Sequence, residues 1–251
     1  MSQTEMGSKI ERLKILKENG YPVPDFQTIS LEDAIGQTGI CALETVVTEN
    51  KQDDVSNLSK KLKETTKKYY SINFQSGFSS DYYAVRSSAN LEDGENYSFA
   101  GQFDTYLMVG MAELQQRILD CFLSAYSENA IQYMMEKEIP IANLRMNVMV
   151  QEMIESDISG VCFTANPQGL LNEAVVVAGR GTGDKVVEDK VDVTTYYYSR
   201  TDDIYYYEGK DNLLSEPLLK EMMESEYWTY WSKLVSAALG YVAEDWAGTV
   251  V

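Results

Sequence analysis

The sequence predicts an α+β fold, and three observations support that prediction. Apolar residues recur at helical spacing in the first part of the chain, whereas a block of five strand-like segments begins near residue 146. Helical spacing returns after residue 213. Helices and strands that are segregated along a chain, rather than alternating one by one, are typical of α+β proteins.

The first helices are predicted from apolar periodicity and from their capping residues. Residues 9–19 form a helix for which Gly20 is a suitable C-terminal stop. A short capped helix begins at Ser30, and residues 51–70 form a polar helix with a solvated lysine face. The apolar positions of the first helix are Ile10, Leu13, Ile15 and Leu16.

Strands are predicted on either side of a polar loop, at residues 82–86 and 103–109, and one long helix follows at 111–137. A hinge is expected near Gln151. Turns of glycine, proline, asparagine and aspartate separate the later strands. These are predicted at residues 146–154, 159–167, 173–181, 191–199 and 203–209.

The composition limits the classes of partner. The net charge is −18, from 39 acidic and 21 basic residues, which disfavours nucleic acid and anionic membranes as partners. An anionic ligand would therefore be held by a few placed cations. No apolar run is long enough to span a membrane, and the polar N-terminus is unlike a secretory signal, so we expect a cytoplasmic protein.

The chain contains no histidine, which excludes histidine-based acid–base catalysis, Ser-His and Cys-His nucleophile pairs, and histidine metal ligands. Its three cysteines, Cys41, Cys121 and Cys162, lie far apart and have no metal-ligand spacing. They are expected to be reduced and mostly buried thiols.

Arg86 is the first candidate functional residue. It directly follows a predicted strand and precedes Ser87 and Ser88. An arginine at a strand end, backed by hydroxyl groups, suits bidentate recognition of phosphate. The alternative is a surface arginine that pairs with Glu92 or Asp93.

A loop and a lysine form the second candidate group. The segment from Ser98 to Gln102 contains Ala100 and Gly101, where the backbone could approach a ligand closely and its N–H groups could cradle phosphate oxygens. The alternative is an ordinary hairpin turn. Lys9 stands at the start of the first helix, where a cation is unfavourable, and this mismatch indicates a functional role.

Three further segments gave weaker signals. The glycine-bearing segment 178–189 lacks the dinucleotide-binding spacing and is predicted to lead into a strand, so a flexible loop is its alternative. The strand end at 150–154 could pair with an adenine edge, or it could be a simple buried strand. Glu244 and Asp245 are acids suited to Mg²⁺, or else merely exposed acids.

Taken together, these segments resemble the motifs of one family, and they occur along the chain in the same order as in that family. The stretches "AVRSSANLED" and "SFAGQFDTYL" are similar to the AVRSSA-x-x-ED and SFAG-Q-x-DT patterns of the N-terminal ATP-binding domain of the phosphoenolpyruvate synthase and pyruvate phosphate dikinase family. Three further stretches, "VQEMIESDISGVCFTANP", "AGRGTGDKVVED" and "GSKIERLKILKENGYPVPDF", resemble its other motifs. The resemblance implies an ATP-grasp-like pair of subdomains at 1–150 and 151–251, with nucleotide in the cleft between them.

The resemblance also implies a role for each candidate residue. Lys9 and Arg86 would hold the ATP phosphates, and the loop of Ser98, Ala100, Gly101 and Gln102 would close over them. The adenine hinge would be Gln151, Glu152, Met153 and Ile154. Asp184 would stand where the family has a glutamate in its second glycine loop, and Asp245 would bind Mg²⁺.

The sequence departs from the family pattern at several places. The sequence ends at Val251, before the family's Q-x-R strand, so a truncated second subdomain is expected. The family's GGKG reads Gly7-Ser8-Lys9-Ile10, and its Tyr-Arg pair reads Tyr133-Met134, so a cation that the resemblance would bring to the phosphates is absent at this position. These departures motivate one alternative function, a regulatory module that binds nucleotide without catalysis.

The leading hypothesis is a Mg-ATP-dependent phosphotransferase domain. In the family, a histidine on a separate domain receives the phosphoryl group, and this chain has none. A phosphohistidine domain is therefore expected as a partner in trans or on a longer chain. The final acceptor would be a small molecule, either pyruvate or an antibiotic hydroxyl as in rifampicin phosphotransferases. A purely structural protein is a third hypothesis, and it predicts no ATP affinity.

Overall fold

The computed structural model describes residues 8–20, 22–50, 54–90, 93–94, 97–98, 102–154, 156–163, 166–170, 172–199, 201–224 and 249–250. The chain divides into two compact units. The first comprises the described residues of Met1–Glu11 and Pro24–Met153, and the second those of Arg12–Val23 and Ile154–Val251.

The helices and strands alternate irregularly along the chain, as an α+β fold requires. The helices are α1 Ser8–Glu18, α2 Leu31–Glu49, α3 Val55–Tyr69, α4 Met111–Ser124, α5 Glu128–Glu136, α6 Gly183–Val187 and α7 Glu216–Glu224. The strands are β1 Phe26–Ser30, β2 Tyr83–Ala89, β3 Asp93–Gly94, β4 Tyr97–Ser98, β5 Thr105–Val109, β6 Met146–Glu152, β7 Ile158–Phe163, β8 Glu173–Arg180, β9 Val193–Ser199, β10 Ile204–Glu208 and β11 Thr249–Val250.

The first unit is built on a four-stranded antiparallel sheet in the order β1-β6-β2-β5. Helices α2 to α5 pack on one face of this sheet and form the main hydrophobic core with it. Alternate residues of a strand point to opposite faces, so only every second strand residue belongs to this core. Its strand members include Ile29, Tyr83, Val85, Ala89, Val109, Met146, Val148 and Val150.

The short capped helix predicted at Ser30 is confirmed as the first segment of α2. The Ser30 hydroxyl accepts a hydrogen bond from the Asp33 backbone N–H at 3.0 Å, and the Asp33 carboxylate accepts from the Ser30 N–H at 3.1 Å. This reciprocal pair satisfies two backbone donors that the first helical turn would otherwise leave open. At Gly36, where φ is 66° and ψ is 169°, the backbone is not helical, so α2 consists of a short capped segment and a second helical segment that runs to Glu49.

We expect Ser30→Ala to lower the free energy of unfolding by about 1 kcal/mol, because the Asp33 N–H loses its side-chain acceptor. Urea denaturation followed by circular dichroism measures this change. Ser30→Asn is the matched control, because it retains a capping oxygen and should lose much less. Equal losses in both variants would contradict a capping role for Ser30.

Two sequence-based expectations for the first unit were wrong. The predicted helix 111–137 is two helices, because the Ser127 hydroxyl accepts from the Ala130 N–H at 3.1 Å and starts α5 afresh. The strand predicted to end at Arg86 continues to Ala89. Arg86 therefore lies in mid-strand, since β6 and β5 supply backbone partners on both sides.

The second unit contains a five-stranded antiparallel sheet in the order β10-β9-β8-β7-β11. Its core includes Val176, Tyr196, Tyr198 and Leu214. Tyrosines pair across the β9–β10 hairpin, with ring centroids 4.4 Å apart for Tyr198 and Tyr205. The glycine segment after β8 was predicted to lead into a strand, which is wrong, because the short helix α6 follows.

The three cysteines are free, as expected; Cys121 and Cys162 are buried and Cys41 is exposed. Among the helices that the structure describes, none has the length and apolar character needed to cross a membrane. The predicted C-terminal helix is represented by α7, and the remainder of that prediction lies outside the described residues.

Candidate functional site

The face of the first sheet that points away from helices α2 to α5 carries a cluster of polar residues. The cluster follows from register, because Arg86 stands opposite Met149 on β6 and Thr105 on β5, while Ser88 stands opposite Asn147. Neighbours in such a row share one face of the sheet. We call this surface the polar face, and define it by Thr28, Arg86, Ser88, Thr105, Asn147 and Gln151.

Arg86 is the central charged residue of the polar face. Arg86 is buried in β2, and only 6% of its surface is exposed. Burial lowers the pKa of Arg86 to about 10, because the charged form loses its hydration. The guanidinium still carries its charge at neutral pH. A buried arginine in a polar setting is suited to holding an anion through its planar fork of donors.

Gln151 lies diagonally across from Arg86, at roughly 7–8 Å between backbones, as is usual for such neighbours in a sheet. It is 2% exposed, and its side-chain nitrogen Nε2 has no hydrogen-bond acceptor among the described residues. A buried donor left in this state costs about 1–3 kcal/mol. Such a group in a native structure needs an explanation, and the acceptor of a bound ligand is one.

Thr105 is a residue of the polar face that sequence reasoning missed. It pairs with Arg86 at the start of β5 and is exposed, so its hydroxyl is accessible beside the buried guanidinium. The signal was present in the stretch "QFDT", from which only Gln102 was selected. Asn147 was missed as well, since only strand pairing shows that Asn147 and Ser88 share a face with Arg86.

The predicted adenine hinge, Gln151 to Ile154, is partly committed to strand pairing. The Glu152 N–H donates to the Asp25 carbonyl at 2.8 Å, and the Met153 N–H donates to the Tyr82 carbonyl at 3.1 Å. These two donors are therefore used by the sheet. At the end of the segment, Ile154 is exposed.

The structure describes the predicted phosphate-binding loop, from Ser98 to Gln102, only at its two ends. Ser98 lies in β4, where it pairs with Asp93, and only the backbone is described there. Gln102 is half-buried, whereas Ala100 and Gly101 lie outside the described residues. Lys9 lies in α1, where the structure describes the backbone but not the side chain.

Asp184 lies in the second unit, in the first turn of α6, and is half-buried. Gly181 precedes this helix with φ at 96°, a conformation that favours glycine, and its N–H donates to the Asp157 carbonyl at 2.9 Å. Asp245, the predicted Mg²⁺ ligand, lies outside the described residues. In the part of the chain that the structure covers, no group of three or more acidic or cysteine side chains could hold a metal ion.

The replacement of the family's Tyr-Arg pair by Tyr133-Met134 has a packing explanation. Met134 is fully buried in the core of the first unit, among the helices rather than on the polar face. A cation at this place would need a different local arrangement to reach a ligand on the polar face. The departure thus lies at a buried core position of the first unit.

Comparison with known proteins agrees with these observations. Residues 4–216 match the family model described as pyruvate phosphate dikinase, AMP/ATP-binding domain. A probable phosphoenolpyruvate synthase from Archaeoglobus fulgidus is 38% identical over 120 residues, or 47% of this chain and 16% of that protein. A rifampicin phosphotransferase from Streptomyces sviceus is 44% identical over 111 residues, or 43% of this chain and 13% of that protein.

A phosphoenolpyruvate synthase from Pyrococcus furiosus is 33% identical over 146 residues, which is 57% of this chain and 18% of that protein. The match thus covers less than one fifth of each of these relatives. The family model, in contrast, spans most of the chain. The chain therefore belongs to the family of the pyruvate phosphate dikinase AMP/ATP-binding domain, whose fold is ATP-grasp-like.

Proposed function

We propose that this chain binds Mg-ATP and transfers a phosphoryl group to a histidine on a separate domain or partner. The observation that carries the proposal is the buried guanidinium of Arg86 on the polar face, in register with the exposed hydroxyl of Thr105. A buried cation beside hydroxyl and amide donors suits a phosphate chain. The match to an AMP/ATP-binding domain family supports a nucleotide as the ligand.

The polar face would hold the phosphates by charge and by directed donors. The two outer nitrogens of Arg86 would bind two phosphate oxygens at once. The Thr105 hydroxyl and the orphaned Gln151 amide would donate to further ligand acceptors. Lys9 would add a second cation, and the loop from Ser98 to Gln102 would cover the phosphates.

Phosphoryl transfer depends on positioning and on neutralising charge, so these groups suffice for the protein's share of the chemistry. A histidine nitrogen would form the new bond to phosphorus, and the bond from phosphorus to the nucleotide's bridging oxygen would break. The electron pair of that bond would leave with the nucleotide. The acceptor histidine must come from outside this sequence, which has none.

The proposal includes Mg²⁺, with Asp245 as its ligand. When bound, the ion would spread the negative charge of the phosphates. Carboxylates are the oxygen ligands that Mg²⁺ prefers, and Asp245 is the proposed ligand.

The final acceptor is proposed to be a small molecule. Two of the relatives are named phosphoenolpyruvate synthases and one is named a rifampicin phosphotransferase. Pyruvate and an antibiotic hydroxyl are therefore the two candidates for the last step. A phosphohistidine domain, in trans or on a longer chain, would carry the phosphoryl group to either.

Calorimetric titration of ATP into the 251-residue chain, with and without Mg²⁺, tests the proposal. We expect saturable binding that becomes tighter with Mg²⁺. An absence of heat under both conditions, confirmed by equilibrium dialysis, would overturn the nucleotide assignment. Binding that Mg²⁺ does not alter would remove Asp245 and the metal from the proposal.

A second experiment separates catalysis from simple nucleotide binding. Radiolabelled ATP would be incubated with the chain and a phosphohistidine domain taken from one of the relatives, and acid-labile label on that domain would be counted. Label on the histidine supports a phosphotransferase. Tight ATP binding with no label would favour a regulatory module that holds nucleotide without transfer.

A further inference from the structure

Asp104, the residue directly before Thr105, is held by several hydrogen bonds, two of them to helix α4. The Asp104 backbone N–H donates to the Ser124 hydroxyl at 3.1 Å. The Asp104 carbonyl accepts from the Ser87 N–H at 3.4 Å and from the Cys121 thiol at 3.5 Å. Both backbone groups of Asp104 are thus bound, and two of the three partners belong to α4.

The side chains on α4 are themselves fixed. The Ser124 hydroxyl also donates to the Cys121 carbonyl at 2.7 Å, so its orientation is set by the helix. Ser124 is 6% exposed and Cys121 is fully buried. Burial raises the pKa of the Cys121 thiol well above its ordinary value, so it remains a protonated donor.

A second contact holds Asp104 from the outer side. Its carboxylate accepts a hydrogen bond from the Tyr106 hydroxyl at 2.9 Å. Arg117 of α4 lies over the Tyr106 ring, 4.9 Å from its centroid, and pairs with Asp120 at 3.4 Å. The segment before β5 is therefore tied to α4 through side chains as well as through its backbone.

These anchors matter because Thr105 lies near the end of the pairing between β5 and β2. β5 pairs with β2 at Tyr83–Val109, Val85–Tyr106 and Arg86–Thr105, with a register shift between Tyr83 and Val85. The pair of Arg86 and Thr105 ends the ladder. Residues near the end of a strand pairing fray more readily than internal residues.

We propose that Ser124, assisted by Cys121, is a positioning residue that fixes Thr105 beside Arg86 for the phosphates. Cys121 belongs to the core on the helical face, and Ser124 follows it on the same helix, so neither contacts a ligand on the polar face. They act through the Asp104 backbone. This inference rests on the proposed nucleotide function, because Thr105 needs an accurate position only if it binds a ligand.

The test compares two serines with matched chemistry. The Ser124 hydroxyl accepts a hydrogen bond from the Asp104 backbone N–H at 3.1 Å, and the Ser127 hydroxyl accepts one from the Ala130 N–H at the same distance. We expect Ser124→Ala to raise the Kd for Mg-ATP about tenfold, because Thr105 loses its position. Ser127→Ala should change that Kd by less than about twofold, although it also removes a helix-associated hydrogen bond.

A second pair of variants keeps the test decisive if Ser124→Ala does not fold. Cys121→Ser retains a donor for the Asp104 carbonyl, whereas Cys121→Val removes the donor at similar volume. We expect weaker Mg-ATP binding in the valine variant only. Hydrogen exchange of residues 102–106 should quicken in Ser124→Ala and in Cys121→Val, and should be unchanged in Ser127→Ala.

Each outcome distinguishes this inference from the proposed function. If the unaltered chain binds ATP and Arg86→Met does not, but Ser124→Ala binds normally, the positioning role is refuted and the proposed function stands. Equal weakening in Ser124→Ala and Ser127→Ala would mean a general stability effect, and would also refute it. If the unaltered chain fails to bind ATP, both proposals fall together.

Discussion

Replacing Arg86 with methionine should reduce ATP affinity by about 10²–10³-fold while the fold is retained. The loss is expected because the guanidinium is the buried charge at the centre of the polar face, and methionine offers the phosphates neither charge nor donors. Titration calorimetry of the variant with Mg-ATP measures the change. The ATP affinity of Arg86→Lys should lie between that of the unaltered chain and that of Arg86→Met, since lysine keeps the charge but lacks the planar fork of donors.

The stability of the Arg86→Met variant follows from the sign of the pKa shift. Burial lowers the pKa of Arg86 to about 10, below its ordinary value of 12.5, so the folded state disfavours the charged form. A base with a lowered folded-state pKa destabilises the fold wherever it is protonated, which includes neutral pH. Removing the charge should therefore leave the melting temperature unchanged or raised.

Arg145→Met is the matched control for this experiment. Arg145 is also an arginine of the first unit, but it is exposed and donates through Nη1 to the Ala142 carbonyl at 2.6 Å. The Arg145→Met variant should bind ATP with the same affinity as the unaltered chain. Unchanged affinity in Arg86→Met would remove Arg86 from the site, and a collapsed fold in that variant would show that the charge is structural.

Replacing Gln151 with leucine should raise stability and weaken ATP binding at the same time. Leucine fills a similar volume and removes the buried Nε2 donor that has no acceptor among the described residues, so the free energy of unfolding should rise by about 1 kcal/mol. ATP affinity should fall by at least about tenfold, because the donor that we propose for the ligand is lost. Thermal unfolding and calorimetry give the two quantities on one sample.

Gln115 provides the matched control for Gln151. It is a half-buried glutamine on α4 whose Oε1 also lacks a donor among the described residues, but its Nε2 donates to the Phe74 carbonyl at 2.9 Å. Gln115→Leu should lower stability through the lost bond and leave ATP affinity unchanged. A Gln151→Leu variant that binds ATP normally would show that the orphaned amide has another cause.

Local sequence chemistry predicted those features that depend on near neighbours. The cap at Ser30 was predicted because its partner Asp33 is three residues away, and the structure shows the reciprocal bonds. The break between α4 and α5 was missed, since apolar periodicity runs through it and only the Ser127 cap interrupts the helix. α6 was missed because five residues are too few to display a helical period.

The position of Arg86 in mid-strand could not be predicted from the neighbouring residues alone. Polar residues after Val85 suggested the end of a strand, yet β2 continues to Ala89. The backbone partners that extend it come from β6, which lies about sixty positions later in the chain, and from β5. A polar run reads as a loop when its pairing partners are distant, because β propensity depends strongly on context.

By itself, the sequence determined the α+β class, the family and the residue types that could contact phosphate, because motifs and periodicity are carried by neighbouring residues. Only the tertiary structure decided which of them share a surface. Strand register placed Arg86 beside Thr105 and diagonal to Gln151, and committed the N–H groups of Glu152 and Met153 to the sheet. Register is set by pairing between distant segments, and a shift of one residue would turn every side chain to the opposite face.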